Sequence, residues 1–234
     1  MSKPIVFVAL DGLATERAKT LKTAEDLCKA EGGDYGFKVN LDALVDVEMG
    51  LREILAPIQV LNRPIFADLK VFNGIRTMAS LFAKLAALGV QYTNVWALAE
   101  TLLPKAIKAV EGTQTKILGL SVLTHYDEAY CQRHFGRDFP STVRHFAQVA
   151  VENGCHGIIL PGTQLSAVQD LDTFKVVPGV RPTWYHDDRH SEEAEITPGQ
   201  AVADGADALV CGSPIMKWAD PLEALENILI EVNQ

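Results

Sequence analysis

Short, nearly continuous apolar runs alternate along the chain with longer stretches in which apolar positions recur every three to four residues. The runs predict strands at Ile5–Leu10, Gly36–Asn40, Ile65–Leu69, Gln91–Val95, Ile117–Val122, Gly157–Leu160, Phe174–Val177 and Ala208–Cys211. Strands apolar on both faces fit a parallel sheet that is covered on both sides. The stretches between them have helical spacing over Thr15–Lys29, Leu41–Leu55, Thr77–Leu88, Leu102–Glu111, Ser141–Asn153 and Pro221–Val232. Thr197-Pro198, a helix-start signal, opens a shorter helix reaching Asp204. Two segments break this rhythm. Tyr126–Pro140 is polar and aromatic and reads as an excursion after the fifth strand. Thr183–Ile196 follows the seventh strand and carries Asp187, Asp188, Arg189, Glu192, Glu193 and Glu195. Both are expected as loops over one end of the sheet, where loops carry function.

Eight successive strand–helix units in 234 residues predict a single domain, residues 1–234, folded as a closed (β/α)8 TIM barrel of the α/β class. An open doubly wound sheet is the alternative. Against it, Leu10-Asp11-Gly12-Leu13 after the first strand is not a glycine-rich dinucleotide loop.

Composition changes this picture only at the margins. With 48% hydrophobic and 22% charged residues the chain can bury a large core without disulfides or metals. A net charge of −9 repels phosphate backbones and disfavours nucleic acid as a partner. A small anionic substrate stays open, because a few lysines and arginines can dominate one pocket. Cys28, Cys131, Cys155 and Cys211 form no C-x-x-C pair and lack zinc-ligand spacing, so no metal site is expected. Reduced thiols, no leader segment and no apolar stretch near ~20 residues lead to the expectation of a cytoplasmic protein without a membrane partner.

In a parallel barrel the side chains that do chemistry stand at the C-terminal strand ends. The first predicted strand runs into Asp11, the second contains Lys38, and the third runs into Asp68 and Lys70, with Asn73 following. The fourth ends at Asn94-Val95-Trp96, the fifth at Thr124-His125, the seventh at Pro178-Gly179-Val180-Arg181 and the eighth at Gly212-Ser213. Asp68 and Lys70 are two apart and share one side of a strand. A lone charge at a strand end is usually solvated or paired for structure. Four alternating charges from three neighbouring strands, costly to bury unpaired, point instead to a catalytic constellation.

These residues carry a resemblance. Val8-Ala9-Leu10-Asp11, Lys38-Val39, Phe66-Ala67-Asp68-Leu69-Lys70 with Thr77, Val122-Leu123-Thr124, Pro178-Gly179-Val180-Arg181-Pro182 and Thr197-Pro198 occur in an order and spacing similar to those of the orotidine 5'-phosphate decarboxylase family. The segment Asp204–Val210 fits the approach to the eighth strand, and the resemblance spans nearly the whole chain. It implies a cofactor-free decarboxylase of pyrimidine nucleotide biosynthesis. Lys38, Asp68 and Lys70 match three members of a charged tetrad, with Lys70 as proton donor. Asp11 and Thr77 match ribose-holding positions, and Thr124, His125, Arg181, Gly212 and Ser213 fall at further substrate-binding positions. The family's second Asp comes from the neighbouring subunit, so the resemblance also implies a homodimer with shared active sites.

The departures concern specific contacts. Asn73 replaces that second Asp, and His125 replaces a Ser that contacts the pyrimidine. Ser213 stands where an Arg grips phosphate, Glu192 falls near a phosphate-loop Gln, and Trp96 occupies a position often held by His. With Asn73 neutral, Lys38, Lys70 and Asp68 sum to +1. Backbone N–H groups at Gly179 and Gly212, or the cations Arg181, Arg189 and Lys217, are the candidates to take over the phosphate. Three functions fit: an orotidine 5'-phosphate decarboxylase with a rearranged phosphate grip, a diverged lyase acting on a different, unphosphorylated carboxylate, and a catalytically silent binding barrel.

Overall fold

The computed structural model describes residues 3–186 and 196–234. Eight parallel strands close a barrel in chain order: β1 (Ile5–Ala9), β2 (Asp34–Asn40), β3 (Ile65–Val71), β4 (Tyr92–Trp96), β5 (Lys116–Leu120), β6 (Gly157–Ile159), β7 (Phe174–Pro178) and β8 (Ala208–Cys211). Ile5–Val8 of β1 pair with Ala208–Cys211 of β8 and complete the circle. The (β/α)8 architecture read from the sequence is therefore present, and all eight strands lie where the apolar runs placed them, to within about two residues at each end.

The doubly apolar runs exist because each strand faces two separate cores. Alternate side chains such as Val6, Val8, Phe37, Val39, Ile65 and Ala67 point outward and pack under the helices. The intervening ones, including Phe7, Phe66, Leu118, Leu120, Ile159 and Val176, fill the barrel interior. At the N-terminal strand ends Tyr92 and Phe174 stack with ring centroids 6.0 Å apart, and Lys116 Nζ lies 5.9 and 5.8 Å from the two rings. Phe7 meets Phe66 and Tyr92 edge-on at 5.5 and 5.1 Å. The interior is thus plugged from below by side chains.

Helices α1 (Arg17–Leu27), α2 (Leu41–Leu44), α3 (Leu51–Gln59), α4 (Ile75–Ala87), α5 (Leu103–Lys108), α6 (Glu128–Phe135), α7 (Phe139–Glu152), α8 (Pro198–Ala203), α9 (Ser213–Met216) and α10 (Pro221–Val232) surround the barrel. Three sequence expectations need correction. The helix expected over Leu41–Leu55 is two, α2 and α3. Asp46 accepts the N–H groups of Glu48 and Met49 at 2.7 and 2.8 Å, a local turn that competes with the helix. The helix expected over Leu102–Glu111 is a 3-10 turn, Ala97–Leu102, leading into the shorter α5, with Glu100 held at φ 31° where they kink. Tyr126–Pro140 is not simply a loop. It holds α6, capped by Asp127, which accepts the N–H of Tyr130, and ended by Gly136 at φ 67°. Of the expected loop Thr183–Ile196, residues 187–195 lie outside the described residues, among them Asp187, Asp188, Arg189, Glu192, Glu193 and Glu195. Its first part is anchored by Trp184, whose ring meets Trp218 at 4.7 Å. Among the described residues no helix is long and apolar enough to cross a membrane.

Barrel and helix approach closely at Gly119 of β5. A Cβ added there would stand 2.3 Å from Ala150 Cβ on α7 and 3.3 Å from Cys155 Sγ. Gly119→Ala should therefore destabilise the protein by about 2–3 kcal/mol, the upper range for overpacking. Ala150→Gly in the same chain should recover part of that loss through coupling between touching sites. Urea denaturation of the two single variants and the double variant measures this; strictly additive losses would contradict the close approach.

Candidate active site

A cavity of about 550 Å³ opens at the C-terminal strand ends. Its floor is the top of the interior core: Ala9, Phe66, Leu120, Ile159 and Val210. Its rim is polar. Asp11 follows β1, Lys38 and Asn40 come from β2, Asp68 and Lys70 from β3, and Asn94 from β4. Thr124 and His125 follow β5, Arg181 follows β7, and Gly212 and Ser213 follow β8. Nine of the sequence-predicted site residues meet here. Asn73 and Thr77 do not line this cavity. Both are exposed, Asn73 beyond the end of β3 with its Oδ1 accepting the Gly74 N–H at 2.7 Å, and Thr77 in the first turn of α4.

The charges form one connected chain. Lys70 Nζ donates to both Oδ1 and Oδ2 of Asp68 at 2.7 Å. Lys38 Nζ donates to Asp68 Oδ2 at 3.2 Å and to Asn40 Oδ1. Asn40 Nδ2 donates to Asp11 Oδ1 at 2.8 Å, and Lys38 Nζ stands 3.8 Å from the same oxygen. Lys38 and Asp68 are nearly buried, whereas the Lys70 side chain is 41% exposed and so faces the cavity. Burial pushes the Asp68 carboxyl up, the largest single influence on it. The fields of Lys38 and Lys70, with hydrogen bonds from Lys70 and Asn94, together outweigh burial and hold it below the ordinary aspartate value. Asp68 is therefore an anion that fixes two ammoniums.

The backbone contributes as well. β3 and β4 pair at Ala67↔Thr93, and pairing resumes only at Val71↔Val95, so Asp68, Leu69 and Lys70 stand opposite Asn94 alone. Lys70 takes φ 48°, a left-handed conformation that a lysine adopts only where its surroundings impose it. Gly212 matters for space: a Cβ there would lie 2.9 Å from Asp11 Oδ2. His125 meets the Tyr126 ring edge-on at 5.3 Å, and the Arg181 guanidinium lies over Tyr185 at 5.4 Å.

At the opposite side of the cavity from the lysines, the expected anion grip is partly corrected. The Gly179 N–H is engaged by Val210 O at 3.0 Å and is not available to an anion. Lys217 does not line the cavity, and Arg189 and Glu192 lie outside the described residues; Arg181 does line it. Sequence reasoning assigned no role to Asn40 and Asn94. Their only signal was an amide inside an apolar run at a strand's C-terminal end.

Comparison with known proteins finds relatives along nearly the whole chain. A model of the "Orotidine 5'-phosphate decarboxylase / HUMPS family" matches residues 4–228. The orotidine 5'-phosphate decarboxylase of Paramagnetospirillum magneticum is 31% identical over 240 residues, covering 97% of each chain. That of Erythrobacter litoralis is 33% identical over 232 residues, covering 97% of this chain and 98% of the relative. Among solved structures, the orotidine 5'-phosphate decarboxylase of Lactobacillus acidophilus superposes with a TM-score of 0.78 at 24% identity over the full length of both chains. An uncharacterized conserved protein from Geobacillus kaustophilus does so with 0.79 at 21% identity, covering 98% of this chain and all of that one. At these identities the two structures speak for the fold.

Removing the central anion should expose what it holds together. Asp68→Asn leaves two ammoniums side by side, one of them nearly buried, and should cost about 3 kcal/mol at pH 7. Because the folded carboxyl titrates lower than the unfolded one, its contribution is complete above the unfolded value of roughly 3.9 and is lost as pH falls through the lower folded value. The gap between parent and variant should then close on acidification below that point. Urea titrations at neutral and acid pH test this; equal stability at pH 7 would refute it.

Proposed function

We propose that this chain, which belongs to the orotidine 5'-phosphate decarboxylase / HUMPS family, is a carboxy-lyase that decarboxylates orotidine 5'-phosphate in pyrimidine nucleotide biosynthesis. The observation that carries this reading is the Lys38–Asp68–Lys70 chain, with the Lys70 ammonium presented to a cavity at the barrel mouth. No metal or organic cofactor has a role in the chemistry proposed. The bond between ring carbon and carboxylate breaks heterolytically, carbon dioxide leaves, and the electron pair stays on the ring carbon. The Lys70 ammonium stabilises that charge as it develops and then gives the carbon its proton. The neutral amine recovers its proton from solvent. Asp68 and Lys38 hold Lys70 in place, so the donor does not have to be reoriented during the reaction.

The remaining assignments follow the lining of the cavity. Asp11 and Thr77 hold the ribose, with Thr77 supplied by a neighbouring subunit as Asn73 is. Thr124 and His125 face the pyrimidine. Arg181, with Gly212 and Ser213 beside it, takes the phosphate, and its planar guanidinium suits that group. The four cysteines of the chain, Cys28, Cys131, Cys155 and Cys211, are free, as fits a cytoplasmic enzyme.

A homodimer with shared sites is part of the same reading. Asn73 and Thr77 are exposed and do not line their own cavity, and exposed apolar residues follow β2, β3 and β4: Leu41, Val45, Val47, Phe72 and Leu98. Phe72 and Leu98 also border a groove of about 360 Å³ with Trp96 and Tyr126. Exposed apolar surface on this scale beside a site suits burial against a second copy. Asn73 then brings a neutral amide to its neighbour, leaving Lys38, Lys70 and Asp68 at a net charge of +1 toward an anionic substrate.

Lys70→Ala should lower turnover of orotidine 5'-phosphate by at least about 10⁴-fold, since donor and electrostatic stabiliser are lost together. Far-UV circular dichroism should stay that of the parent. Substantial decarboxylation by the folded variant would sink the assignment. Sedimentation velocity at micromolar concentration should find a dimer; a fully active monomer would reject the shared site.

A further inference from the structure

We infer that Asn94 is the positioning residue that sets the backbone of Lys70 and holds the Asp68 carboxylate to which Lys70 is bound. Three residues of β3 stand opposite this one residue of β4, so the N–H groups of Leu69 and Lys70 have no regular ladder partner there. Both go to the same atom: Asn94 Oδ1 accepts from Leu69 N at 3.0 Å and from Lys70 N at 2.6 Å. Asn94 Nδ2 donates to Asp68 Oδ1 at 2.7 Å. The side chain is 1% exposed, so water cannot stand in for it.

The amide orientation follows from its partners. Only Oδ1 can face two N–H groups, and only Nδ2 can face a carboxylate. Among neutral side chains of this size only asparagine has an acceptor and a donor on one rigid plane. One face holds Lys70 at its positive φ, from which the ammonium reaches both Asp68 oxygens. The other face gives the Asp68 anion a donor that carries no charge. Asp68 otherwise faces Lys38 from β2 and Lys70 from its own strand, with Asp11 following β1 behind Lys38. Asn94 therefore fixes the geometry of the charged chain from a nearly buried place at the edge of the cavity.

The kinetic part rests on the proposed role of Lys70; the structural part does not, and the experiment separates them. Asn94→Leu removes acceptor and donor at nearly constant volume. Asn94→Asp keeps the acceptor and sets a carboxylate against Asp68. Amide hydrogen exchange at Leu69 and Lys70 should accelerate in Asn94→Leu and stay near the parent's in Asn94→Asp. The Asp68 carboxyl, followed by carbon-13 NMR, should titrate higher in both variants than in the parent. With orotidine 5'-phosphate, kcat should fall about 100-fold in Asn94→Leu while KM stays within about threefold, as for a misplaced reacting group. The acid limb of the rate profile should move to higher pH with Asp68. Unchanged exchange together with an unmoved Asp68 titration in Asn94→Leu overturns the inference. Should that variant fail to fold, the Asp68 titration in Asn94→Asp decides alone, and an unmoved value overturns it. If the unmodified protein is inert toward orotidine 5'-phosphate, the proposed function falls, and the exchange and titration measurements still decide the role of Asn94.

Discussion

A single carboxylate, buried between two ammoniums, is the constraint around which the mouth of this barrel is organised. Burial pushes the Asp68 carboxyl up, and Lys38 and Lys70, helped by the Asn94 amide, hold it down. Lys38 in turn could not stay buried without Asp68. The dependence runs both ways, so the set is stable only when complete. It also reaches into the backbone. Bringing Lys70 onto both oxygens of Asp68 requires three residues of β3 against one of β4, a positive φ, and a side chain that absorbs the stranded N–H groups. The chemistry and the irregularity of the strand are thus one feature, a local departure from ideal geometry of the kind that accompanies function.

Much of this was legible in the sequence because strands buried on both faces leave an unambiguous trace. Eight apolar runs gave the barrel, and the charges just beyond them gave the mouth: Asp11, Lys38, Asp68, Lys70 and Arg181 all line the cavity. The rest was hidden for identifiable reasons. Helices α2 and α3 read as one because Val45, Val47 and Met49 continue an apolar period through a turn made by the Asp46 side chain. Helix α6 has few apolar residues, so its cap at Asp127 and stop at Gly136 went unread. Asn40 and Asn94 carry no charge and belong to no short motif; their importance is a matter of which neighbours the barrel gives them. Asn73 and Thr77 were assigned by resemblance alone, Asn73 to a neighbour's site and Thr77 to the ribose, and in the single chain both are exposed and outside the cavity.

The two cores explain why the fold tolerates such a site. The outward faces of the strands and the surrounding helices form a core of their own. The interior cluster, built around Phe7, Phe66, Leu118 and Val176, is packed independently of it. Polar groups at the mouth rest on the upper layer of that interior cluster. Their rearrangement disturbs the contact between strands and helices only through backbone, as at Gly119, where β5 and α7 already touch. Binding chemistry at the mouth can therefore change while the scaffold stays the same.

The plug at the lower end of the barrel has a consequence for traffic. Phe7, Tyr92 and Phe174 close the interior beneath the cavity, with Lys116 beside the rings. Among the described residues the chamber is therefore closed below and open at the mouth. In a decarboxylation run there, the nucleotide entering, the gas escaping, the product leaving and the proton that recharges Lys70 all use the same opening.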